Sequence, residues 1–481
     1  MEFTGRVLVL GCGSVSQCTL PLLLKHLDGP RDRVTILDMV DNRAKVAGAL
    51  AEGVRYEQEQ VTETNMAEVL GARVGPGDLV IDLAWDIDCC AILQWCHDHG
   101  VMYVNTSVEL WDPYTGMAEQ HPLDRTLYVR HMAVRRLVRE WDRPGPTAVI
   151  EHGANPGLVS HFTKRALWEI GERALREGRA VEGRRRALEH AMAAEAYNLL
   201  ALELGVKVIH IAERDTQITD RPKEVDEFVN TWSVEGFYEE GITPAELGWG
   251  THEKRMPLGA SRHGGEGPGN QICLPQPGIK TWVRSWVPHC EITGMVVRHG
   301  EAFTISDHLT VWDGPTPIYR PTVHYAYCPA DVALNSLHEL EMRRWRLQER
   351  QRIVTDEVTS GEDRLGVLLM GHDYKAWWTG SLLSIGETRA VAPHQNATTL
   401  QVAASVLGCV EWMIRHPERG VNVPDNLPWR EVLDVAYPYL GTFWSDAVDW
   451  DPVSTANELY AGFDGRSVDR DDPWQFHNFL V

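Results

Sequence analysis

Carboxylates and an indole recur together in the middle of this chain. The segment VNTWSVEGF (229–237) places Trp232 three residues before Glu235. An indole face attracts an ammonium or iminium cation, worth about 2 kcal/mol or more where water is excluded. A carboxylate attracts the same charge and accepts its protons. The combination favours a cationic, amine-bearing ligand, whereas a carboxylate-bearing ligand would require arginine side chains.

Further polar side chains lie in neighbouring segments that are predicted to be strands or turns. Any one of them alone is compatible with a solvent-facing position, but together they supply acids with little basic charge. Arg214, Arg298 and Arg320 are the exceptions, and each is a candidate ion-pair partner. The acidic and imidazole residues of this group are Glu213, Glu239, Glu240, His299, Glu301 and Asp363.

The N-terminal segment has the pattern of a dinucleotide-binding turn. The apolar run RVLVL is followed directly by GCGSVS (11–16) and then by the apolar helical segment TLPLLLKHL. Gly11 permits the tight turn, and Gly13 lets the backbone approach a pyrophosphate at the N-terminus of the helix. Ser16 replaces the usual third glycine and is still small enough for close packing of the helix on the strand.

An acidic residue completes this pattern. The second predicted strand, VTILD, ends in Asp38, where a carboxylate would bind the ribose hydroxyl groups and repel a 2′-phosphate. No arginine follows Asp38 directly, so the sequence predicts NAD rather than NADP. The predicted cofactor contacts in and near the turn are Gly11, Gly13, Ser14, Val15 and Asp38.

The rhythm of a parallel sheet continues through the first 157 residues. Three more apolar strands, in 78–86, 101–107 and 147–157, have polar carboxyl ends. Ligands of open α/β sheets bind beyond the carboxyl ends of the strands. Each polar residue here could instead be a simple turn or cap residue. The candidates at these ends are Asp86, Thr106, Glu109 and Asn155.

Composition excludes several classes of protein. The formal net charge of −22 makes nucleic acid and anionic membranes unfavourable partners. No apolar run approaches the ~18 residues of a membrane span, and the N-terminus lacks the features of a signal peptide. The nine cysteines show neither a CxxC pair nor zinc-ligand spacing, which indicates free thiols and no metal site. We therefore expect a cytoplasmic protein.

These patterns predict an α/β fold. We expect a Rossmann-type, doubly wound parallel sheet in residues 1–157 and a second α+β domain with a mainly antiparallel sheet in 158–385. A C-terminal helical segment, 386–481, is expected to return and pack on the first domain. Within the second domain, EFVNTWSVEGF and GMVVRHGEAFTI are predicted to be strands, and Asp363 is predicted to lie in a loop.

Several longer motifs resemble one family. GCGSVS, VNTSVELW, GANPGLVS, HIAERDTQ, VNTWSVEGF, AELGWGTHE, YRPTVHYAY, LGVLLMGH and DPWQF are similar, in this order, to the bacterial homospermidine synthases of the saccharopine dehydrogenase-like group. The resemblance implies a homodimer with NAD as a bound catalytic cofactor and no net redox change. It implies that homospermidine is made from two putrescines with release of ammonia, or from spermidine and putrescine with release of 1,3-diaminopropane.

The resemblance also implies roles for individual residues. Trp232 is expected to stabilise an iminium by cation–π contact, Glu213 and His299 to transfer protons, and Glu240 to complete the catalytic group. The departures from the family pattern are Ser16 in place of glycine and Leu110 where proline is usual. The register of FYEEG also leaves Glu239 or Glu240 as the matching acid, and we choose Glu240 because it precedes the glycine. The expected substrate-binding residues are Glu109, Asn155, Glu235, Glu301 and Asp363. Asp86, Thr106 and Asn155 are expected to contact the cofactor.

Two other functions remain open from the residues. A carboxynorspermidine or saccharopine-type reductase would consume NAD(P)H stoichiometrically and would need a basic clamp for its carboxylate substrate. An NAD-binding sensor without catalysis would need the acids only for binding. The chemistry predicted for a synthase is removal of hydride from the carbon next to an amine, attack by the second amine, and return of the hydride.

Overall fold

A computed structural model describes residues 1–454 and 468–481 of the chain. The strands in these residues are β1 Val7–Leu10, β2 Val34–Asp38, β3 Arg55–Gln58, β4 Leu79–Asp82, β5 Met102–Asn105, β6 Ala148–Val149, β7 Val208–Asp215, β8 Ile218–Thr219, β9 Glu227–Asn230, β10 Pro244–Gly248, β11 Ser261–Arg262, β12 Gln271–Pro277, β13 Trp282–Val287, β14 Cys290–Met295, β15 Val311–Asp313, β16 Thr316–Tyr319, β17 Thr322–Cys328, β18 Arg350–Ile353, β19 Val358–Ser360, β20 Glu362–Met370, β21 Ala376–Ser384, β22 Val421–Asn422 and β23 Thr442–Val448.

The α-helices alternate with the early strands and then cluster around the later ones. They are α1 Ser14–His26, α2 Ala47–Ala51, α3 Met66–Gly71, α4 Cys89–His99, α5 Leu127–Arg139, α6 Leu158–Arg176, α7 Glu182–Ala193, α8 Tyr197–Leu204, α9 Val234–Ile242, α10 Gly300–His308, α11 Asp331–Met342, α12 Ile385–Val391, α13 Ala397–Arg415, α14 Trp429–Ala436 and α15 Phe476–Phe479.

The first domain is built on a parallel sheet of seven strands in the order β22-β6-β5-β4-β1-β2-β3. All four residues of β1 are buried, as expected for a strand covered by helices on both faces. The order reverses at β1, which places the carboxyl ends of β1 and β4 beside a crevice where doubly wound sheets bind ligands. The edge strand β22 comes from the C-terminal part of the chain.

The second domain is built on a mixed sheet of ten strands. Its main path is β11-β12-β10-β17-β7-β20-β21-β23, and the β13–β14 hairpin joins it through β14 and β17. The β7–β17 pair is parallel, while the other pairs of this sheet are antiparallel. The predicted fold class is therefore confirmed: a Rossmann-type sheet is followed by an α+β domain with a mainly antiparallel sheet.

Helix α13 lies at the joint between the two domains. It packs on α1 of the first domain and also contacts β5, β20 and β21. By length and composition it is the one helix in the described residues that could cross a bilayer, whereas none was predicted from the sequence. However, 83% of its most apolar 18-residue stretch is buried inside the fold. It therefore occupies the position of a core helix that both sheets share.

The last part of the chain differs from its predicted organisation. Residues 397–422 lie against the first domain, but β23 pairs with β21 and extends the second sheet. The terminal helix α15 then packs on β13 of the same domain. Residues 386–481 thus divide between both domains instead of forming one helical segment, because β21 leaves an edge that β23 covers. Residues 455–467 of this segment lie outside the described residues.

Three local predictions are also wrong. The strand predicted around Trp232 ends at Asn230, and helix α9 begins at Val234 because the Ser233 hydroxyl accepts a hydrogen bond from the backbone N–H of Gly236 at 3.0 Å. The strand predicted over GMVVRHGEAFTI gives way to helix α10 after His299. Asp363 lies in β20, paired with Asp215 of β7, and not in a loop.

We predict that Asn396 is the main anchor of α13. Its side-chain amide donates to the carbonyls of Thr231 and Val354 at 2.6 and 2.7 Å, and its oxygen accepts from the backbone N–H of Thr399 at 2.9 Å. Asn396→Ala removes a helix cap and leaves two buried carbonyls unpaired, so the free energy of unfolding should fall by about 2–4 kcal/mol.

Ser384→Ala is the matched control, because Ser384 caps α12 through a capping box at a half-buried position. Its loss should cost about 1 kcal/mol. Denaturant unfolding of both variants measures the difference, and equal losses would show that Asn396 is an ordinary cap.

Candidate functional site

A crevice of about 520 Å³ lies between the carboxyl ends of the first sheet and one face of the second sheet. Most of the residues predicted from the sequence meet in it. Those that line it are Gly11, Gly13, Ser14, Val15, Asp38, Asp86, Thr106, Glu109, Asn155, Glu213, Trp232, Glu235, Glu240 and His299.

The glycine turn leaves the N-terminus of α1 open to the crevice. Gly11 has a φ of +84° and donates its backbone N–H to the carbonyl of Leu37 at 2.8 Å. Among the described residues, a methyl group added at Gly13 would meet no atom within 4 Å, and no side chain caps α1. The free N–H groups and the helix dipole of this turn suit a phosphate group.

Asp38 is held rigidly at the tip of β2. One carboxylate oxygen accepts from the backbone N–H of Cys12 at 2.5 Å, and the other accepts from that of Val40 at 2.7 Å. The carboxylate therefore faces the crevice next to the glycine turn. An open helix terminus and a fixed acid at this spacing fit the pyrophosphate and one ribose of a dinucleotide.

Glu213 of β7 is a deeply buried acid of the crevice wall. The hydroxyl of Tyr325 and the amide of Asn155 both donate to one of its oxygens, the latter at 3.0 Å. Burial, aided by the charge of nearby Asp215, raises the pKa of Glu213 to about 8, although the hydrogen bond from Tyr325 acts in the opposite direction. Glu213 is therefore poised to exchange a proton near neutral pH.

His299 stands between two carboxylates at the start of α10. Its Nε2 is 3.0 Å from Glu240, and its Nδ1 is 3.3 Å from Glu301 without hydrogen-bond alignment. Burial alone would lower the pKa of His299, but Glu240 and Glu301 outweigh it and raise the pKa well above the ordinary range. The ring also packs on Tyr325, with centroids 4.4 Å apart. The two carboxylates therefore favour the imidazolium form of His299.

Glu239 differs from its neighbour Glu240. It accepts hydrogen bonds from the guanidinium groups of both Arg130 and Arg298, and all three side chains are buried. Burial raises the pKa of Glu239, but Arg298 and Arg130 outweigh it and the net pKa is lowered. The two arginines that line the crevice are thus already paired with a protein carboxylate.

Two further acids at the strand ends are short of positive partners. Burial, followed by the charge of Glu239, raises the pKa of Glu109 to about 7, and Ser107 donates to it at 2.6 Å. Burial and the same carboxylate raise the pKa of Asp86 to about 6. A cation that entered the crevice would favour the ionised form of both groups.

Trp232 lies half-buried in the wall of the crevice. Its indole N–H donates to the hydroxyl of Tyr327 at 3.1 Å, and its ring is 5.5 Å from that of Phe237. Gly236 leaves room for the ring, because a methyl group there would lie 3.1 Å from it. Glu235 lies in the first turn of α9 and also lines the crevice. The segment VNTWSVEGF thus places an indole and a carboxylate on the same wall of the crevice.

Glu301 and Asp363 do not line the crevice, contrary to the predicted substrate contacts. Glu301 is fully buried behind His299, which it supports. Asp363 is fully buried in β20, where it accepts from the Thr398 hydroxyl at 2.7 Å. Burial and the nearby Glu213 raise its pKa well above the ordinary range. Both residues therefore lie behind side chains that line the crevice.

Several residues in or beside the crevice were not predicted from the sequence. Tyr325 and Tyr327 alternate along β17, with stacked rings 5.0 Å apart, and this i, i+2 spacing in YRPTVHYAY was the signal that could have revealed them. Arg130 lies inside α5, where nothing local distinguishes it from a surface arginine. Glu151 lines the crevice at the end of β6 and was passed over within a predicted strand.

Two family models match most of the chain. Saccharopine dehydrogenase NADP binding domain matches residues 7–149, and Saccharopine dehydrogenase C-terminal domain matches residues 153–447. The boundary between the two models falls at the carboxyl end of β6.

Full-length relatives agree with these models. The homospermidine synthase of Blastochloris viridis is 41% identical over 483 residues, which cover 99% of this chain and 97% of the relative. That of Mesorhizobium japonicum is 40% identical over 487 residues, covering 100% and 97%. The crystal structure of the homospermidine synthase from Legionella pneumophila in complex with NAD has a TM-score of 0.88 at 38% identity, covering 100% of this chain and 98% of that one.

We predict that Glu239 and Glu240 respond differently to loss of charge. Glu239→Gln leaves the buried Arg130 and Arg298 without their shared carboxylate, so it should destabilise the fold by about 3–5 kcal/mol. Glu240→Gln, at a side chain that is 21% exposed, should change stability by about 1 kcal/mol or less. Thermal and denaturant unfolding of the two variants test this contrast, and similar losses would refute it.

Proposed function

Because this chain belongs to the homospermidine synthase family, an enzyme family of the saccharopine dehydrogenase group, we propose that it transfers an aminobutyl group to putrescine. The donor is a second putrescine, with release of ammonia, or spermidine, with release of 1,3-diaminopropane. NAD is the catalytic cofactor, and the reaction has no net redox change.

The observation that carries this proposal is the excess of carboxyl groups over unpaired cationic side chains in the crevice. Glu109, Glu213 and Asp86 line it with raised pKa values, while its arginines are paired with Glu239. A diamine that is protonated at both ends supplies the missing cations, and its four-carbon chain suits the apolar part of the wall. The unpaired carboxyl groups and the apolar wall favour polyamines over carboxylate-bearing substrates.

The same pairing disfavours a saccharopine-type reductase. Such an enzyme needs a basic clamp for its substrate carboxylate, and among the described residues of the crevice wall the guanidinium groups belong to Arg130 and Arg298. Both are bound to Glu239 and to backbone carbonyls. Neither guanidinium group is therefore free to act as the main partner of a substrate carboxylate.

Asp38 supports NAD rather than NADP as the cofactor. The family model for the first domain is named for NADP, but the Legionella relative was solved with NAD. The Asp38 carboxylate borders the place of the ribose, where a 2′-phosphate would meet like charge. When bound, NAD supplies a hydride acceptor that returns the hydride at the end of the reaction.

The acids of the crevice prepare the substrate amine. An ammonium nitrogen has no lone pair to assist loss of hydride from the neighbouring carbon, so one amine must first lose a proton. Glu213, whose pKa is about 8, accepts a proton near physiological pH, and Tyr325 and Asn155 fix the direction of its oxygens. Glu109 and Glu240 are placed to bind ammonium groups at the ends of the chain.

Trp232 stabilises the cationic stage on the substrate. The hydrogen bond to Tyr327 fixes the indole, whose face then attracts an iminium more strongly than a neutral amine. The imidazolium of His299 is held by Glu240 and can return a proton to the leaving amine. The energetic gain arises mainly in the transition state, where positive charge is fixed on carbon and nitrogen.

The remaining predictions about the protein's setting stay proposals. We propose a cytoplasmic homodimer that binds neither nucleic acid nor membranes. The net charge of −22 repels anionic polymers and lipid surfaces, and all nine cysteines are free thiols. Size-exclusion chromatography with light scattering tests the dimer.

The direct test is turnover with a trace of NAD. Purified protein is given putrescine and substoichiometric NAD, while amines are separated by chromatography and absorbance of reduced cofactor is followed. A synthase should form many molecules of homospermidine per NAD without accumulation of NADH. Stoichiometric NADH consumption or formation would instead indicate a reductase, and binding without turnover would indicate a sensor.

We predict that Asp38→Ala weakens NAD binding and relaxes the discrimination against NADP. Asp41→Ala is the matched control, because Asp41 is an exposed acid of the same loop that pairs with Arg43 at 2.9 Å and does not line the crevice. Calorimetric titration of both variants with both cofactors measures the change. Unchanged affinities in Asp38→Ala would remove this residue from the cofactor site.

We predict that Glu213→Gln lowers turnover by at least about a hundredfold, as expected for loss of a general base. In the native protein, kcat/KM should rise with pH through about 8 as Glu213 ionises, and the variant should lose this rise. Near-normal activity with an unchanged profile would make Glu213 a structural residue.

The pH dependence of the stability of Glu213→Gln provides a control, because the direction of the expected change is known. The folded pKa of Glu213 is raised to about 8 from the ordinary 4.5, so between these values the folded state binds more protons than the unfolded state. Native stability therefore falls as pH rises through this window, and Glu213→Gln should gain relative stability over the same window. A solvent-facing Glu213 would give no such pH dependence.

A further inference from the structure

The tips of three neighbouring parallel strands are cross-linked beneath the crevice. Tyr103 of β5 donates its hydroxyl to Asp82 of β4 at 2.9 Å, and Asn105 donates its amide to the Tyr103 hydroxyl at 3.1 Å. The oxygen of Asn105 accepts the backbone N–H of Glu151, just beyond β6, at 2.7 Å. All four side chains are buried, so this network fixes the backbone of Glu151.

Glu151 is held in a backbone conformation that is unfavourable for a residue with a side chain. Its φ of +62° lies in the left-handed region, which costs about 1–2 kcal/mol for a non-glycine residue. Its carboxylate pairs with the Nε2 atom of His131 at 2.8 Å. Gly300 accommodates it, because a methyl group there would lie 1.7 Å from a Glu151 oxygen. Strain of this kind concentrates at functional sites.

The topology assigns Glu151 to one end of the dinucleotide. Asp38 at the tip of β2 marks the adenosine ribose, and the N-terminus of α1 after β1 marks the pyrophosphate. The other half of the cofactor must then extend away from β2, over the tips of β4, β5 and β6. Glu151 follows β6 and lines the crevice, so it lies at the nicotinamide end.

We propose that Glu151, oriented by His131, gives this site a preference for the oxidised cofactor. The nicotinamide ring of NAD⁺ carries a positive charge and that of NADH is neutral. A fixed carboxylate next to this ring therefore attracts the oxidised form selectively. The inference rests on the proposed function, since an enzyme that returns its hydride in every cycle must keep the bound cofactor oxidised between cycles.

The test compares equilibrium affinities, so it does not depend on turnover. NADH binding is measured by fluorescence and NAD⁺ binding by competition, for the native protein, Glu151→Gln, Glu151→Asp and Glu246→Gln. Glu246 is the matched control: it is buried and accepts from the backbone N–H groups of Leu127 and Tyr128 at the start of α5, but it does not line the crevice.

Glu151→Gln should raise the ratio of Kd for NAD⁺ to Kd for NADH by about tenfold, because it removes charge and keeps shape. Glu151→Asp keeps the charge and tolerates a positive φ, so its ratio should stay near the native value. Glu246→Gln should leave the ratio unchanged, whatever its effect on stability.

Equal losses of both affinities in Glu151→Gln, or no change, would overturn the proposal and make Glu151 a positioning residue only. Thermal melts of each variant confirm that the measured protein is folded. A native protein that binds neither form of the cofactor would overturn the proposed function itself, and this inference with it.

Discussion

The structure depends on keeping carboxylates in a crevice that holds too few cations to neutralise them. Moving an ionised carboxylate out of water costs several kcal/mol, even after relaxation of the surroundings. Glu239 recovers this cost through two guanidinium groups, whereas Glu213 receives two neutral hydrogen-bond donors and a raised pKa. The deficit of positive charge is therefore a built-in affinity for cationic ligands, maintained at the expense of fold stability.

That deficit can exist only because both domains build the crevice together. Asn155 lies beyond the last central strand of the first sheet, and the Glu213 carboxylate that it contacts belongs to the second sheet. His299 comes from a helix that packs on α5 of the first domain and on β17 of the second. The relative position of the two sheets is thus part of the chemistry, and α13 fixes it from behind.

The sequence predicted the parts of the site that depend on local pattern. The glycine turn and Asp38 follow from a strand, a turn and a second strand, and the acids of the second domain were identified by type. Tyr325 and Arg130 were missed because their roles arise from pairing across strands and between domains. Asp363 was wrongly predicted to contact the substrate. Similarity to a motif identifies the residue, but it does not show whether the side chain faces the crevice or is buried behind its lining residues. The pairing of β23 with the second sheet was not predicted, because its partner strand β21 lies about sixty residues earlier in the chain.

The connection of the chain also has a consequence for its synthesis on the ribosome. Helix α1 buries Leu20, Leu23 and other apolar side chains against α13, which begins only at Ala397. At roughly 5–20 residues per second, this apolar face waits for about 20–75 s before its cover has been translated. The first sheet likewise lacks its edge strand β22 during that time. The nascent N-terminal domain therefore exposes an apolar helix face and an unpaired sheet edge, the two features that favour aggregation, until almost the whole chain has been translated.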